Sequence, residues 1–215
     1  MRNIQNIRKA YQQSTLDLEN LSADPFDLFY KWWDMAVDAE VPEPNAMTLA
    51  TVGQSGAPSA RIVLLKGLST EGFEFFTNYS SHKAKDLEAN ANVALVFLWK
   101  EVERQVRVEG TAEKLSFDQS QTYFQSRPRG SQIGAWASPQ SQVIPDRIVL
   151  EEAIENITSQ YENVDPLPCP EFWGGYIVRP LMIEFWQGRD DRLHDRFRYL
   201  KNKKGGNWSI DRLAP

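Results

Sequence analysis

The sequence predicts a mainly β fold with flanking helices (α+β), most simply an antiparallel β-barrel with helices packed outside. Two observations carry this. Short β-like runs follow one another, punctuated by turns such as Gly53-Gln-Ser-Gly56 and Thr70-Glu-Gly72, and only a few helical segments interrupt them. There is also no alternating βαβ pattern and no GxGxxG or GxxxxGK[ST] run, so Rossmann and P-loop nucleotide sites are not supported.

Residues 1–22 are polar and lack an apolar stripe, which predicts a mobile arm with a short helix at 4–12; residues 23–215 are expected to form one domain. Asp24-Pro25 supplies an N-cap followed by proline at the first helical position. Phe26, Phe29, Tyr30 and Trp33 follow at helical spacing, so a helix is expected to about Ala39, ended by Pro42 and Pro44. Strands are expected at 46–52, 58–66 and 73–77. A helix at 80–90 would be capped by Ser80 or Ser81, with Ala84, Leu87 and Ala91 on its apolar face. Strands at 92–99 and 104–115 precede helices at 116–125, 131–137 and 145–161. After a proline-rich loop at 163–170, strands at 173–178, 181–187, 193–199 and 208–213 close the chain, with a turn at Lys204-Gly-Gly-Asn207.

A chain of 215 residues fits one domain and can bury a sizeable core. An apolar content of 41% is that of a globular rather than a disordered protein. The net charge of −5 argues against a general nucleic-acid or anionic-membrane binder, so the arginines are expected to act locally. No run approaches bilayer length and no signal-peptide core is expected. Cys169 is the lone cysteine, which excludes an intramolecular disulfide. With two histidines, His82 and His194, no metal cluster is expected. A reducing cytoplasm is the default compartment.

Several segments concentrate cations and hydroxyls. Residues 184–197 pack Arg189, Arg192, His194 and Arg196 between two apolar runs. If 192–197 is extended, Arg192, His194 and Arg196 share a face; they then need an anion among them, or neutralisation by Asp191 and Asp195 as a surface ladder. Arg61-Ile-Val-Leu-Leu-Lys66 is an apolar strand with a cation at each end, on opposite faces if regular; a core strand with snorkelling ends is the plain alternative. Asn78-Tyr-Ser-Ser-His-Lys83 spans a strand-to-helix junction, where free N–H groups, hydroxyls and Lys83 suit a phosphate. Tyr123 and Arg127 share a helix face, Pro128 turns the chain, and Ser131 is expected to cap the next helix; phenol, guanidinium and hydroxyl could converge on one phosphate. Gln105 shares a strand face with Arg107, and Gln140-Ser141 follows a small-residue loop; either glutamine could bond a polar ring edge. Trp136, Trp173 and Trp186 are read as core.

Arg-x-Val-Leu-Leu-Lys at 61–66, Glu-Arg-Gln-Val at 103–106, Ser-Arg-Pro-Arg-x-Ser-Gln-Ile-Gly-Ala-Trp at 126–136, Phe-Trp-Gly-Gly at 172–175, Ile-Glu-Phe-Trp-Gln-Gly with Arg-Leu-His-Asp-Arg-Phe at 183–197 and the closing Ile-Asp-Arg-Leu-Ala-Pro occur in order along nearly the whole chain. Together they resemble the pyridoxine/pyridoxamine 5′-phosphate oxidase family. The resemblance implies an FMN-binding split β-barrel working as a homodimer with FMN at the subunit interface. It implies oxidation of pyridoxamine or pyridoxine 5′-phosphate by O₂ to pyridoxal 5′-phosphate, with release of H₂O₂ and, from the amine, ammonia. By motif, FMN would contact Arg61, Ile62, Val63, Leu64, Leu65, Lys66, Phe76, Thr77, His82, Lys83, Gln105, Gln140, Ser141, Trp186 and Arg196. The substrate would contact Arg8, Tyr11, Lys66, Tyr123, Arg127, Ser131, Arg192, Leu193 and His194, with Arg192 and His194 at its reacting end. His82 stands where the family pattern has arginine, and Phe76 where a tyrosine can occur. Rival expectations are another split-barrel flavoprotein, such as a nicotinamide-dependent flavin reductase, and a non-catalytic binder of FMN or pyridoxal phosphate. A second phosphate cluster argues against the reductase; turnover separates an enzyme from a binder.

Overall fold

The computed structural model describes residues 10–202 and 206–215. Arg8, most of the helix expected at 4–12 and half of the expected 204–207 turn lie outside these; residues 10–12 are not helical. The elements run α1 (Pro25–Asp38), β1 (Ala46–Val52), β2 (Pro58–Leu64), β3 (Gly67–Ser69), β4 (Gly72–Asn78), α2 (His82–Ala89), β5 (Asn92–Trp99) and β6 (Arg104–Lys114). They continue with α3 (Phe117–Ser126), α4 (Arg129–Ala137), α5 (Ile148–Gln160), β7 (Trp173–Gln187), β8 (Asp195–Lys201) and β9 (Trp208–Arg212). The strands are hydrogen-bonded in the order β2-β1-β5-β6-β7-β4-β3, with β8 pairing β7 and β9 pairing β8. Contacts divide the chain into two compact units: Met1–Leu49 with Ala94–Gly110 and Pro180–Pro215, and Ala50–Val93 with Thr111–Arg179.

In the first unit α1 begins as its sequence dictates. Asp24 accepts a hydrogen bond from the Phe26 N–H, and Pro25 occupies the first turn. The helix buries Phe26, Leu28, Phe29, Trp32 and Ala36. Phe29 meets Phe97 edge-on at 5.1 Å between centroids, and Trp32 meets Phe185 the same way at 5.1 Å. β8 is held between β7 and β9, with Phe197 and Tyr199 fully buried.

In the second unit β4 lies antiparallel between β3 and β7, placing Phe76 opposite Gly175 and Thr77 opposite Gly174. The two glycines explain the Phe-Trp-Gly-Gly motif. A Cβ on Gly175 would meet the Phe76 ring at 2.7 Å, and one on Gly174 would meet Tyr79 and Ser120. The bareness of Gly175 lets the Phe76 ring lie across the strand, where it stacks on Tyr123 at 3.9 Å and on Trp173 at 5.6 Å. Below this stack Phe124, Ile133, Leu167, Cys169 and Trp173 form a buried cluster.

Four features differ from expectation. Pro180 does not split β7, because pairing with β4 ends at Val178 and pairing with β8 begins at Met182; the proline falls where that edge changes partners. β3, three residues long, is too short to announce itself in sequence. α4 starts at Arg129 with Pro128 as its N-cap, so Ser131 sits in the first turn rather than capping it. The extended run expected from Arg192 is a 3-10 turn, Asp190–Arg192, with Asp191 and Arg192 left-handed at φ 54° and 63°. The chain must reverse between antiparallel β7 and β8, so Arg192 and His194 precede the strand and do not share its face with Arg196.

Gly175→Ala is expected to displace Phe76 and destabilise the protein by about 1–3 kcal/mol, the usual cost of overpacking. Chemical denaturation checks this, and an unchanged midpoint would contradict it.

Candidate active site

In the second unit a cavity of about 450 Å³ is lined by Ile62, Val63, Leu64, Lys66, Phe76, Thr77, Lys83, Tyr123, Arg127, Pro128, Ser131, Gln140 and Trp173. Its charged residues are Lys66, Lys83 and Arg127, and no carboxylate lies among them. Like charges gathered without a counter-ion are unfavourable, and burial makes them more so.

One group is built at the β4–α2 junction. Lys83, in the first turn of α2, donates to Gln140 Oε1 at 2.9 Å and to Thr77 Oγ1 at 3.1 Å, and Thr77 donates to Gln140 at 3.1 Å. Burial, then the charge of Arg61, lowers the Lys83 pKa. Arg61 does not line the cavity. It shares a β2 face with Ser59 and donates to Ser59 Oγ and Thr51 Oγ1, both at 2.7 Å, with the buried Asp86 at 3.7 Å. Asp86 also accepts from Thr51 at 2.7 Å and faces His82 Nδ1 at 3.5 Å. His82 is 67% exposed at its side chain and lies off the cavity, as do the buried Leu65 and the exposed Ser141. Lys66 keeps the parity of Ile62 and Leu64 and lines the cavity with them, on the side that strand alternation opposes to Arg61.

The second group comes from the α3–α4 corner. Pro128 forces Arg127 out of the helix to φ −74°, ψ 150°. The Arg127 guanidinium lies 4.7 Å over the Trp173 ring, and its Nη1 is buried without a hydrogen-bond partner among the described residues. Burial lowers the Arg127 pKa. Burial raises that of Tyr123, against the pull of Arg127. Arg129, the other arginine of the motif, is turned away and donates to the carbonyls of Tyr161 and Val164, both at 2.6 Å.

The first unit holds the remaining candidates. Trp186 packs on His194 at 4.5 Å and on Tyr11 at 5.8 Å; Tyr11 meets His194 at 5.9 Å. Tyr11 is seated by Gly188, where a Cβ would meet its ring carbons at 2.8–3.0 Å. His194 Nδ1 accepts the Arg189 N–H at 3.1 Å, which requires that nitrogen to be unprotonated. Burial, then Arg192, lowers the His194 pKa, against Asp195. Arg192 and Leu193 are exposed. Asp195 pairs with Arg189 at 3.2 Å and Arg212 at 3.3 Å, so it does not form the surface ladder with Arg192 and Arg196. Arg196 instead meets Glu184 at 2.8 Å, directly opposite Trp186 in register with it. Gln105 is half-buried on β6, on the face of Arg107, which also pairs with Glu184, at 3.0 Å.

Sequence reasoning missed Glu184, Asp86 and the role of Trp173. Glu184 was findable: a carboxylate between Ile183 and Phe185, only 3% exposed, needs cationic partners. The sequence places Trp173 in the core; it is core, and it also lines the cavity. Among the described residues no group of three or more His, Cys, Asp or Glu could hold a metal ion, and no helix is long and apolar enough to cross a membrane.

Comparison with known proteins gives a consistent result. Residues 34–161 match the family described as pyridoxamine 5′-phosphate oxidase, and residues 173–215 match the pyridoxine 5′-phosphate oxidase C-terminal dimerisation region. A pyridoxine/pyridoxamine 5′-phosphate oxidase of Salinibacter ruber is 53% identical over 215 residues, covering all of both chains. One of Bordetella petrii is 53% identical over 212 residues, 99% of each. Among solved structures, PhzG from Burkholderia lata, in complex with tetrahydrophenazine-1-carboxylic acid, superposes with a TM-score of 0.88 at 26% identity, covering 96% of this chain and 100% of that one. The fold is the split β-barrel that the family resemblance implies. Similar from end to end to these oxidases and matched by both of their family descriptions, the chain belongs to the pyridoxine/pyridoxamine 5′-phosphate oxidase family.

Proposed function

We propose that this protein oxidises pyridoxamine or pyridoxine 5′-phosphate with O₂ to pyridoxal 5′-phosphate, using FMN and releasing H₂O₂, with ammonia from the amine. The observation that carries the reading is the cavity lining of Lys66, Lys83 and Arg127 without a carboxylate, in which the buried Arg127 Nη1 has no partner among the described residues. Such a wall suits anionic ligands, and this reaction brings two phosphates, one on the cofactor and one on the substrate. A flavin reductase would need only the first.

The donor set fits FMN. Lys83 with Thr77 and Gln140 would hold its phosphate, backed by Arg61, while residues 62–64 offer apolar surface and backbone groups to the ring. Lys66, Tyr123, Arg127 and Ser131 would hold the substrate phosphate. Bound FMN supplies the redox chemistry, a two-electron oxidation at C4′ with reoxidation by O₂. The protein's part is orientation. Arg192 and His194 would hold the reacting end of the substrate, with Tyr11, which already meets His194, as a further contact; fixing a near-attack geometry can lower a barrier by several kcal/mol. Gln105, Trp186 and Arg196 would contact the flavin. Trp186, Arg192, His194 and Arg196 all lie within the segment matched to a dimerisation region. This supports a homodimer in which FMN sits at the subunit interface.

Turnover is the direct test: the purified protein should carry a flavin spectrum and form one H₂O₂ per pyridoxamine 5′-phosphate consumed. Flavin binding without turnover would leave only a binder. Lys83→Ala should weaken FMN retention. Arg127→Ala should keep FMN and raise KM for the phosphorylated substrate roughly tenfold to a hundredfold, the loss of about 1.5–3 kcal/mol from a charge-assisted hydrogen bond. The opposite pattern would reverse the two assignments.

Arg192→Met should cut kcat/KM strongly with FMN affinity nearly unchanged, and His194→Asn should cut it less. Because His194 titrates below the usual histidine value, the ring is neutral at pH 7 and protonates only as the pH falls through that lowered pKa, breaking its bond with the Arg189 N–H. An acidic limb in the kcat/KM profile is therefore expected that His194→Asn removes. A limb unchanged in that variant would belong to the substrate phosphate instead.

A further inference from the structure

The α3–α4 corner is closed by one buried side chain that does not line the cavity. Gln132, in the first turn of α4 and 2% exposed, donates through Nε2 to the Arg127 carbonyl at 2.7 Å and to the Gln125 carbonyl at 3.2 Å. Its Oε1 accepts the Leu167 N–H at 2.8 Å. The two carbonyls belong to the end of α3, where helical donors run out because Pro128 has ended the helix. The Leu167 N–H is buried in the loop that follows α5. One amide thus satisfies three backbone groups that would otherwise be short of partners, and it ties the last turn of α3 to α4 and to that loop.

The consequence lies at Arg127. Its backbone is fixed by the Gln132 bond and its side chain leaves from the same residue to lie over Trp173, with Nη1 buried and unpaired. We propose that Gln132 is a positioning residue for the substrate phosphate: it fixes the backbone from which Arg127 reaches into the cavity, and so sets affinity for the phosphorylated end of the substrate without touching it. This rests on the assignment of Arg127 to the substrate phosphate. The amide orientation is dictated by its partners, since two carbonyls require the NH₂ and an N–H requires the oxygen. A side chain of the same length without these groups therefore removes the function while keeping the volume.

The test is a double-mutant cycle on the FMN-loaded protein with Arg127→Ala, Gln132→Met and the double variant. KM and kcat are measured for pyridoxamine 5′-phosphate, Ki for inorganic phosphate as competitor, and flavin content on the same samples. Gln132→Met should raise KM and the phosphate Ki about tenfold, the loss of one charge-assisted contact through misplacement of its donor. Flavin content and kcat should hardly change. In the Arg127→Ala background Gln132→Met should add less than about twofold, because it acts through Arg127. Full additivity, or loss of flavin and kcat together with affinity, would overturn the proposal in favour of a purely structural glutamine. If Arg127→Ala raises KM and Gln132→Met does not, the inference alone fails; if Arg127→Ala leaves KM unchanged, the substrate-phosphate assignment fails and takes the inference with it. Should Gln132→Met not fold, Gln132→Asn in the same cycle keeps an amide one methylene short, and an intermediate rise in KM is expected; a KM equal to wild type would overturn the proposal.

Discussion

Holding Lys66, Lys83 and Arg127 on one cavity wall with no carboxylate between them is electrostatically unfavourable, and much of the unit formed by Ala50–Val93 and Thr111–Arg179 is arranged to sustain it. Lysine and arginine side chains left to themselves turn to water or to an acid. Here Lys83 is held by neutral acceptors, Thr77 and Gln140, that satisfy its donors without cancelling its charge. Arg127 is pressed onto Trp173, where the ring face attracts a cation but leaves Nη1 unmet. Pro128 points the backbone of Arg127 out of α3, and Gly175 leaves room for Phe76 in its stack with Tyr123 and Trp173. Burial lowers the pKa of both Lys83 and Arg127, the opposite of what a structural ion pair does.

The unit containing α1, β8 and β9 handles charge differently. Its buried Glu184 binds Arg107 and Arg196, Asp195 binds Arg189 and Arg212, and His194 is kept neutral by a backbone donor and by burial. These residues are compensated and fixed in place, which suits a surface that orients a ring system more than one that captures an anion. Arg192 stands apart, exposed at the tip of a turn that holds two consecutive residues in the left-handed region, a conformation costing on the order of 1–2 kcal/mol per residue. Strain of that kind collects where a side chain has to be presented in one direction.

Much of this was legible in the sequence. The strand and helix order followed from turn residues and periodicity, and the two cation-plus-hydroxyl clusters were visible as Asn78–Lys83 and Tyr123–Ser131 because their spacing around a helix start and a proline is local. What was not legible depends on contacts distant in sequence. Nothing local distinguishes Arg127 from Arg129; the second is consumed by carbonyls of Tyr161 and Val164, more than thirty residues away. Nothing local shows that Arg61 will spend its donors on Thr51 and Ser59 beside Asp86, or that His82 will face Asp86 rather than the cavity. The shared strand face of Arg192, His194 and Arg196 failed for a topological reason, since the reversal from β7 to β8 falls on Arg192.

If the cavity cations Lys66, Lys83 and Arg127 serve phosphate groups, removing a phosphate from a ligand must weaken its binding. The most direct measurement is calorimetric titration of the apo-protein with FMN and with riboflavin, which differ in the phosphate alone. FMN is expected to bind at least about a hundredfold more tightly, corresponding to roughly 3 kcal/mol from charge-assisted contacts. Equal affinities for the two flavins would contradict it.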